Sequence, residues 1–329
     1  MTLHRPVAEK LLAAGLDPDD TERVVRGALD EDFRYGPDLT SAATAAPGAS
    51  AVAGVVARQP GVLAGLPVAL AVLDAAGVPP PTAPHPPPHP PSLPLQGPFM
   101  AEPLRDDGDR IDRGTEVLRI TAPLREMLGA ERTLLNFVTH LSGVATTTRA
   151  WVDAVAGTGC TVRDTRKTTP GLRQLEKYAV RCGGGMNHRM GLGDAALVKD
   201  NHVAAAGGIA AAIRAVRATA PDVPLEVECD SLAQVSDALA AGAGLILLDN
   251  MGLDDLRAAV ALARPYPAVK LEASGGLRLD KARAVAETGV DYIAVGALTH
   301  SSPALDLGLD MLTANRDPFA GEPVPSPRS

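Results

Sequence analysis

From position 160 onward, short apolar runs alternate with longer amphipathic stretches in a regular rhythm. Strand-like runs fall at 160–164, 195–199, 225–229, 245–249, 269–273 and 292–295. Between the later ones the apolar residues recur at helical spacing, predicting helices at 209–219, 232–241, 253–263 and 281–287. Ser231 followed by Gln234 has the form of a capping box, and Gly242 and Gly289 mark helix ends. Repeated βα units of this size predict a parallel sheet, either closed into a barrel or open and doubly wound. Six runs fall short of a complete barrel's eight. No G-x-G-x-x-G opens a helix after the first strand, which weighs against a dinucleotide-binding sheet.

Upstream the pattern is mixed. Residues 1–30 read as helices, with Leu11, Leu12, Val24, Val25 and Leu29 at helical spacing, and 29–41 reads as an acidic turn leading into a strand. The segment 51–58 is β-like, and 61–65 leads to a short helix near Pro67. The pattern at 110–120 is β again, with Gly108, Asp109 and Gly114 as turn residues. A long helix is predicted over 125–156, with a break at Gly143 and a stop at Gly157. The run 78–98 is rich in proline, which fixes φ and removes backbone donors, so it neither pairs in a sheet nor continues a helix. His85 and His89 within it need no ligand to be explained.

Composition narrows the picture. Of 329 residues 46% are hydrophobic but only 3% aromatic, so Ala, Val and Leu must fill the core, as suits helices on a buried parallel sheet. A formal net charge of -8 argues against general binding to nucleic acid or a membrane surface. No uncharged apolar stretch reaches the roughly 20 residues of a membrane span. The N-terminus also lacks the apolar run of a signal peptide, and a cytoplasmic protein is expected. Cys160, Cys182 and Cys229 have no C-x-x-C spacing and read as reduced, buried thiols.

Against this acidic background, 163–202 concentrates Arg163, Arg166, Lys167, Arg173, Lys177, Arg181, His188, Arg189 and Lys199 among glycines. So much positive charge calls for an anionic partner, and a small polyanionic substrate explains it better than a nucleic acid. In a parallel α/β protein ligands gather at the carboxyl ends of the strands. Polar residues fall there in series: Asp164 to Thr168, Lys199 to His202, Glu226, Glu228 and Asp230, Asp249 and Asn250, Glu272 to Gly276, and Gly296 to His300. Ser274-Gly275-Gly276 and Gly296-Ala297, after consecutive late strands, suit a phosphomonoester held by backbone N–H groups. Glu228 and Asp249 lie one βα unit apart. They suit Mg²⁺ with substrate phosphates, ribose hydroxyls or a cationic sugar transition state.

Taken together, E-R-T-L-L-N-F at 131–137, R-D-T-R-K-T-T-P-G-L-R at 163–173, N-H-R at 187–189, K-D-N-H at 199–202, L-L-D-N at 247–250, S-G-G-L at 274–277 and V-D-Y-I-A-V-G-A-L-T-H-S at 290–301 resemble the quinolinate phosphoribosyltransferase family of type II phosphoribosyltransferases. The resemblance runs in order from about Leu29 to Met311; the Pro-rich run 78–98 departs from it as an insertion. It implies an incomplete, open parallel α/β barrel over 126–300 with an N-terminal helix-plus-antiparallel-sheet domain over 1–125. A C-terminal helix and tail over 301–329 would pack back on that domain.

The implied reaction converts quinolinate and phosphoribosyl pyrophosphate to nicotinate mononucleotide, pyrophosphate and CO₂ with Mg²⁺, a step of NAD biosynthesis. Arg132, Arg166, His188, Arg189 and Lys199 are implied as quinolinate-binding. Thr165, Lys167, Glu228, Asp249, Ser274, Gly275, Gly276, Gly296 and Ala297 are implied for phosphoribosyl pyrophosphate. Lys167, Glu228 and Asp249 are implied as catalytic, with Glu228 and Asp249 also implied at the metal. Arg132 would come from a partner subunit, which implies a homodimer. Arg173, Lys177 and Arg181 are expected on a helix beside the site, His140 in the core or an interface, and His202 behind Lys199 or Asn201.

Three other readings compete. A related phosphoribosyltransferase acting on nicotinate or another pyridine acid shares most of these residues, although the complete N-H-R and K-D-N-H set favours a dicarboxylate. A Schiff-base aldolase would need Lys167 or Lys199 stripped of charged neighbours, and both stand in basic, polar sequence. A non-catalytic relative would show gaps in the polar set.

Overall fold

The computed structural model describes residues 3–77 and 100–314. The chain divides into two compact units, one running to Gly143 and resuming at Ala304, the other Val144–Pro303. The Pro-rich run 78–98, with His85 and His89, lies outside the described residues.

The first unit begins with helices α1 (Arg5–Ala13) and α2 (Pro18–Phe33), which bury Leu11, Val25 and Leu29. Asp17 starts α2 by accepting the N–H groups of Asp19 and Asp20, with Pro18 in the first turn. The acidic turn does not lead directly into a strand. Asp38 accepts the Ser41 N–H at 2.9 Å and caps a short helix α3 (Leu39–Thr44) ahead of strand β1 (Ser50–Ala57). After β2 (Gly61–Val62) comes α4 (Leu66–Ala76), apolar on nearly every side and buried. Gly65 and Leu66 N–H groups there donate to the distant Asp107 carboxylate, which serves as the missing N-cap.

The β pattern at 110–120 resolves into β4 (Arg110–Ile111) and β5 (Glu116–Pro123), split at the turn through Gly114; β3 (Met100–Pro103) precedes them. β5 pairs antiparallel with β1 and β3, and β2 with β4. Helix α5 (Leu124–Ala154) passes through Gly143 without the expected break. A helical glycine costs only about 1 kcal/mol, and this one is buried, so packing holds the turn. The division between units falls inside α5, after Gly143, rather than at 125/126.

The second unit follows the βα rhythm closely. Its elements are β6 (Thr161–Arg163), α6 (Arg173–Cys182), β7 (Ala196–Val198), α7 (Asp200–Ala206), α8 (Ile209–Thr219), β8 (Leu225–Cys229), α9 (Leu232–Ala240), β9 (Leu245–Asp249), α10 (Leu253–Ala263), β10 (Lys270–Ser274), α11 (Ala282–Ala286), β11 (Tyr292–Ala294) and α12 (Ala297–His300). Six parallel strands form one sheet in the order β6-β11-β10-β9-β8-β7. Its first and last strands, β6 and β7, are not bonded to each other, so the α/β barrel is incomplete and open. At that seam Met186 bridges β6: its N–H donates to Val162 O at 2.8 Å, and its carbonyl accepts from Asp164 N at 3.2 Å. The capping box at Ser231 does not form. Ser231 makes no side-chain cap, and Gln234 Oε1 instead accepts the N–H of Asp230 at 2.8 Å.

The chain then returns to the first unit, and here the C-terminal helix expected over 301–329 is corrected for the residues up to 314; 315–329 lie outside the described residues. Residues Leu307–Ala314 form a strand, β12, antiparallel to β1, completing the order β12-β1-β5-β3. A free sheet edge on β1 decides this, since pairing there satisfies a row of backbone groups that a helix would leave open. Arg58, just after β1, crosses over Gly308 and forks onto Asp310 at 2.5 and 2.9 Å.

Candidate active site

Register places the predicted polar residues of the second unit on one end of the sheet. Asp249 stands opposite Ser274, and Glu228 opposite Leu247, so the alternating side-chain direction puts Glu228 and Asp249 on the same face as diagonal neighbours. Lys199 follows β7 and donates to Glu228 Oε2 at 2.5 Å; its side chain is 46% exposed and that of Glu228 17%. His202 Nδ1 accepts the Lys199 N–H at 3.0 Å, so the histidine of K-D-N-H holds the lysine by its backbone. Asp249 accepts from the Asn250 side chain at 2.8 Å.

The two glycine loops are built for close approach. Asn250 has φ 54, and its N–H donates to Ser274 O at 2.9 Å. A Cβ on Gly275, φ 92, would stand 2.9 Å from that same nitrogen and 2.3 Å from Asn250 Oδ1, so both conformation and space demand glycine. A Cβ on Gly296 would stand 3.0 Å from Lys167 Cδ, 3.4 Å from Thr165 Oγ1 and 3.5 Å from His300 Nε2. Thr165, Lys167, Gly296 and His300 thus share one cradle. Thr299, buried, donates to the Lys167 carbonyl at 2.7 Å, and Thr165 Oγ1 accepts the Lys167 N–H at 3.0 Å. His300 is a member that sequence reasoning left without a role. Its signal was the spacing from Gly296 across one helical turn, meaningful only once α12 is formed. Gly276 and Ala297 continue the two loops, and both are exposed.

The basic segment divides in two. Lys177, expected on a helix beside the site, is fully buried; it pairs with Asp164 and donates to the His188 carbonyl at 2.9 Å. Burial pushes the Asp164 carboxyl up and the Lys177 ammonium down, and their mutual attraction opposes both shifts. Arg163 also points inward, to Glu272 at 2.6 Å and 4.8 Å above the Tyr292 ring. Arg173 braces Thr168 and the Met190 carbonyl, and Arg181 binds Asn187 Oδ1.

Arg166, Lys167, Arg189 and Lys199 remain at the strand ends. Burial, and then the neighbouring Arg166, lower the Arg189 guanidinium from its usual value. Arg166 Nε is buried with no hydrogen-bond partner. Two guanidinium groups so placed suit an anion. Arg132 lies exposed on α5 in the first unit.

Among the described residues, two sets of groups have the ligand types for a cation. Glu228 and Asp249 offer hard oxygen donors at the strand ends, where substrate phosphates and water can complete the shell, and they fit Mg²⁺. One ligand atom each of His188, Glu226 and Glu272 also lie within 4.8 Å of one another, all buried. This second set does not fit. His188 Nδ1 accepts the Arg189 N–H at 2.7 Å, so the ring proton sits on Nε2 and points at Glu226 Oε2, 2.7 Å away. Burial first and Glu226 second raise the Glu272 carboxyl to about 7. Cys160 and Cys229 are buried and pushed up to about 12, protonated and inert.

Comparison with known proteins agrees with this geometry. Residues 144–310 match the family described as quinolinate phosphoribosyl transferase, C-terminal domain, and 38–142 match its N-terminal domain. The chain is 50% identical over 299 residues to the carboxylating nicotinate-nucleotide pyrophosphorylase of Mycobacterium leprae, spanning 89% of this chain and 98% of that one. The protein of the same name from Homo sapiens is 36% identical over 321 residues, 96% of this chain and 98% of that one. Among solved structures, NadC from Streptococcus pyogenes superposes with TM-score 0.79 at 37% identity, covering 91% of this chain and 99% of that one. With both domains matched in order and relatives covered almost end to end, the chain belongs to the quinolinate phosphoribosyltransferase family.

Proposed function

We propose that the protein transfers the phosphoribosyl group of phosphoribosyl pyrophosphate to quinolinate and releases pyrophosphate, CO₂ and nicotinate mononucleotide. The observation that carries this reading is the pair of partly desolvated guanidiniums, Arg166 and Arg189, on the sheet end that also holds the glycine cradle. A flat dicarboxylate suits that pair, with Lys199 beside it and Arg132 brought by a second copy of the chain. The complete cationic set favours quinolinate over nicotinate, which has one carboxylate fewer to neutralise. His188 belongs to this set through its Nδ1, which accepts the Arg189 N–H.

Ser274, Gly275 and Gly276, with Gly296, Ala297, Thr165 and His300, would receive the 5′-phosphate. Glu228 and Asp249 would face the ribose and hold Mg²⁺. When bound, Mg²⁺ supplies positive charge against the pyrophosphate oxygens. The pyridine nitrogen attacks the anomeric carbon as the bond to pyrophosphate breaks, and Lys167 offsets the charge leaving with it. Glu228 and Asp249 offset the positive charge that develops on the sugar. The resulting pyridinium nitrogen stabilises the electron pair left on the adjacent carbon when CO₂ departs, and water protonates that carbon. No side-chain base is required.

A homodimer follows from the role given to Arg132, and the buried, protonated thiols of Cys160 and Cys229 suit a reducing cytoplasm. Among the described residues no helix is long and apolar enough to cross a membrane. The test is an assay with quinolinate, phosphoribosyl pyrophosphate and Mg²⁺, run in parallel with nicotinate. Nicotinate mononucleotide and CO₂ from quinolinate are expected; product only from nicotinate would overturn the substrate. Lys167→Ala is expected to lower turnover by roughly two orders of magnitude or more while the chain stays folded.

A further inference from the structure

His188 stands in the N-H-R motif yet has no polar atom to spare. Its N–H donates to Asp164 Oδ1 at 2.8 Å, and its carbonyl accepts from Lys177 at 2.9 Å. Nδ1 accepts the Arg189 N–H at 2.7 Å, and Nε2 meets Glu226 Oε2 at 2.7 Å. A substrate carboxylate could bind this ring only by displacing one of these bonds. Its neighbour Arg189 is the residue with a guanidinium at the site; Arg189 NH1 donates to Ala195 O at 2.9 Å, just ahead of β7. The segment 186–189 therefore starts on β6 at Met186 and reaches the approach to β7 through Arg189. It lies along the seam where the sheet is open.

Glu226 occupies the inner face of β8, one alternation below Glu228, and is 4% exposed. We infer that Glu226 is a positioning residue for quinolinate recognition: it fixes the tautomer and orientation of His188, which in turn holds the backbone of Arg189 and aims its guanidinium at the substrate carboxylate. The inference rests on the quinolinate reading above. The order of bonds is Glu226 Oε2, the Nε2 proton of His188, its Nδ1 lone pair, and the Arg189 N–H. Reversing the tautomer would set a ring N–H against the Arg189 N–H and leave Glu226 facing a lone pair. Glu272, held by Arg163, backs the same ring with Oε1 3.6 Å from Nε2, and so opposes a reversal.

The test compares Glu226→Leu with Glu226→Gln in the full chain, since glutamine keeps an oxygen able to accept from Nε2. For Glu226→Leu the quinolinate Kd and KM are expected to rise by roughly tenfold, with the KM for phosphoribosyl pyrophosphate unchanged. Glu226→Gln is expected to recover most of that loss. The ¹⁵N shifts of the His188 ring are expected to show the proton on Nε2 in the wild type and a tautomer mixture in Glu226→Leu. Unchanged quinolinate affinity in Glu226→Leu would overturn the inference. Equal losses for both substrates that track a fall in Tm would also overturn it, because they mark a purely structural role. Failure of the wild type to bind quinolinate would instead overturn the functional reading and this inference with it.

Discussion

The stretch 163–202 sends its cations to two places that treat charge oppositely. At the strand ends, Lys167 and Lys199 stand exposed, Lys199 paired only with the partly exposed Glu228, and Arg166 and Arg189 repel one another, awaiting an anion. One layer deeper, Lys177 and Arg163 have met theirs: Lys177 pairs with Asp164 and Arg163 with Glu272. The deep charges cost desolvation and offset it only through their buried ion pairs, so they fix geometry. The outer charges are left incomplete, and that incompleteness is what binds. A run of basic residues in a sequence is thus two devices, a frame and a grip.

The sharpest way to break this comparison is to exchange a lysine from each layer for methionine. Lys177→Met leaves Asp164 buried and uncompensated and is expected to cost about 3–5 kcal/mol of stability, read by urea unfolding. Lys199→Met removes an exposed partner and is expected to change stability by no more than about 1 kcal/mol while abolishing quinolinate binding. Similar stability losses in the two variants would erase the distinction.

An intermediate effect is expected at the glycine cradle. Gly275→Ala forces a side chain into φ 92 against the Asn250 backbone, at a cost of about 1–3 kcal/mol. Its KM for phosphoribosyl pyrophosphate is expected to rise with quinolinate affinity unchanged; the reverse pattern would move the phosphate site elsewhere.

The smallest effect sharpens the inner layer. Glu272, beside Glu226, Arg163 and His188, has its pKa raised in the folded chain from 4.5 to about 7. Between those values the folded chain holds more protons than the unfolded one, so the contribution of Glu272 to stability falls as pH rises through that window. Glu272→Gln removes this dependence. The stability of the variant relative to wild type is expected to increase between pH 5 and 7 by at most about 1.4 kcal/mol per pH unit. A flat difference would place Glu272 outside the coupled layer.

Where the sequence read well, the determinants were local. Alternation and helical spacing located β8, β9, α8 and α10 at their observed bounds, because each element's own residues carry its period. Strand-end residues such as Glu228, Asp249 and Ser274 followed from the rule that parallel strands present ligands at one end. Reading failed where a remote partner decided the outcome. Leu307–Ala314 is a strand because β1 offers an edge far upstream, and α4 is capped by Asp107 from beyond the Pro-rich run. Lys177 looks like any helix-surface lysine until Asp164 and the His188 carbonyl are brought around it.

By itself the sequence determined the βα order, the acidic chain with one basic segment, and the motifs that mark the family. Only the tertiary structure decided which of those basic residues are frame and which are grip. Sign and spacing are written along the chain, but desolvation and hydrogen-bond saturation depend on what lies across the sheet. Glu226 and His188 stand 38 residues apart in sequence, and their relation appears only when β8 and the seam segment meet.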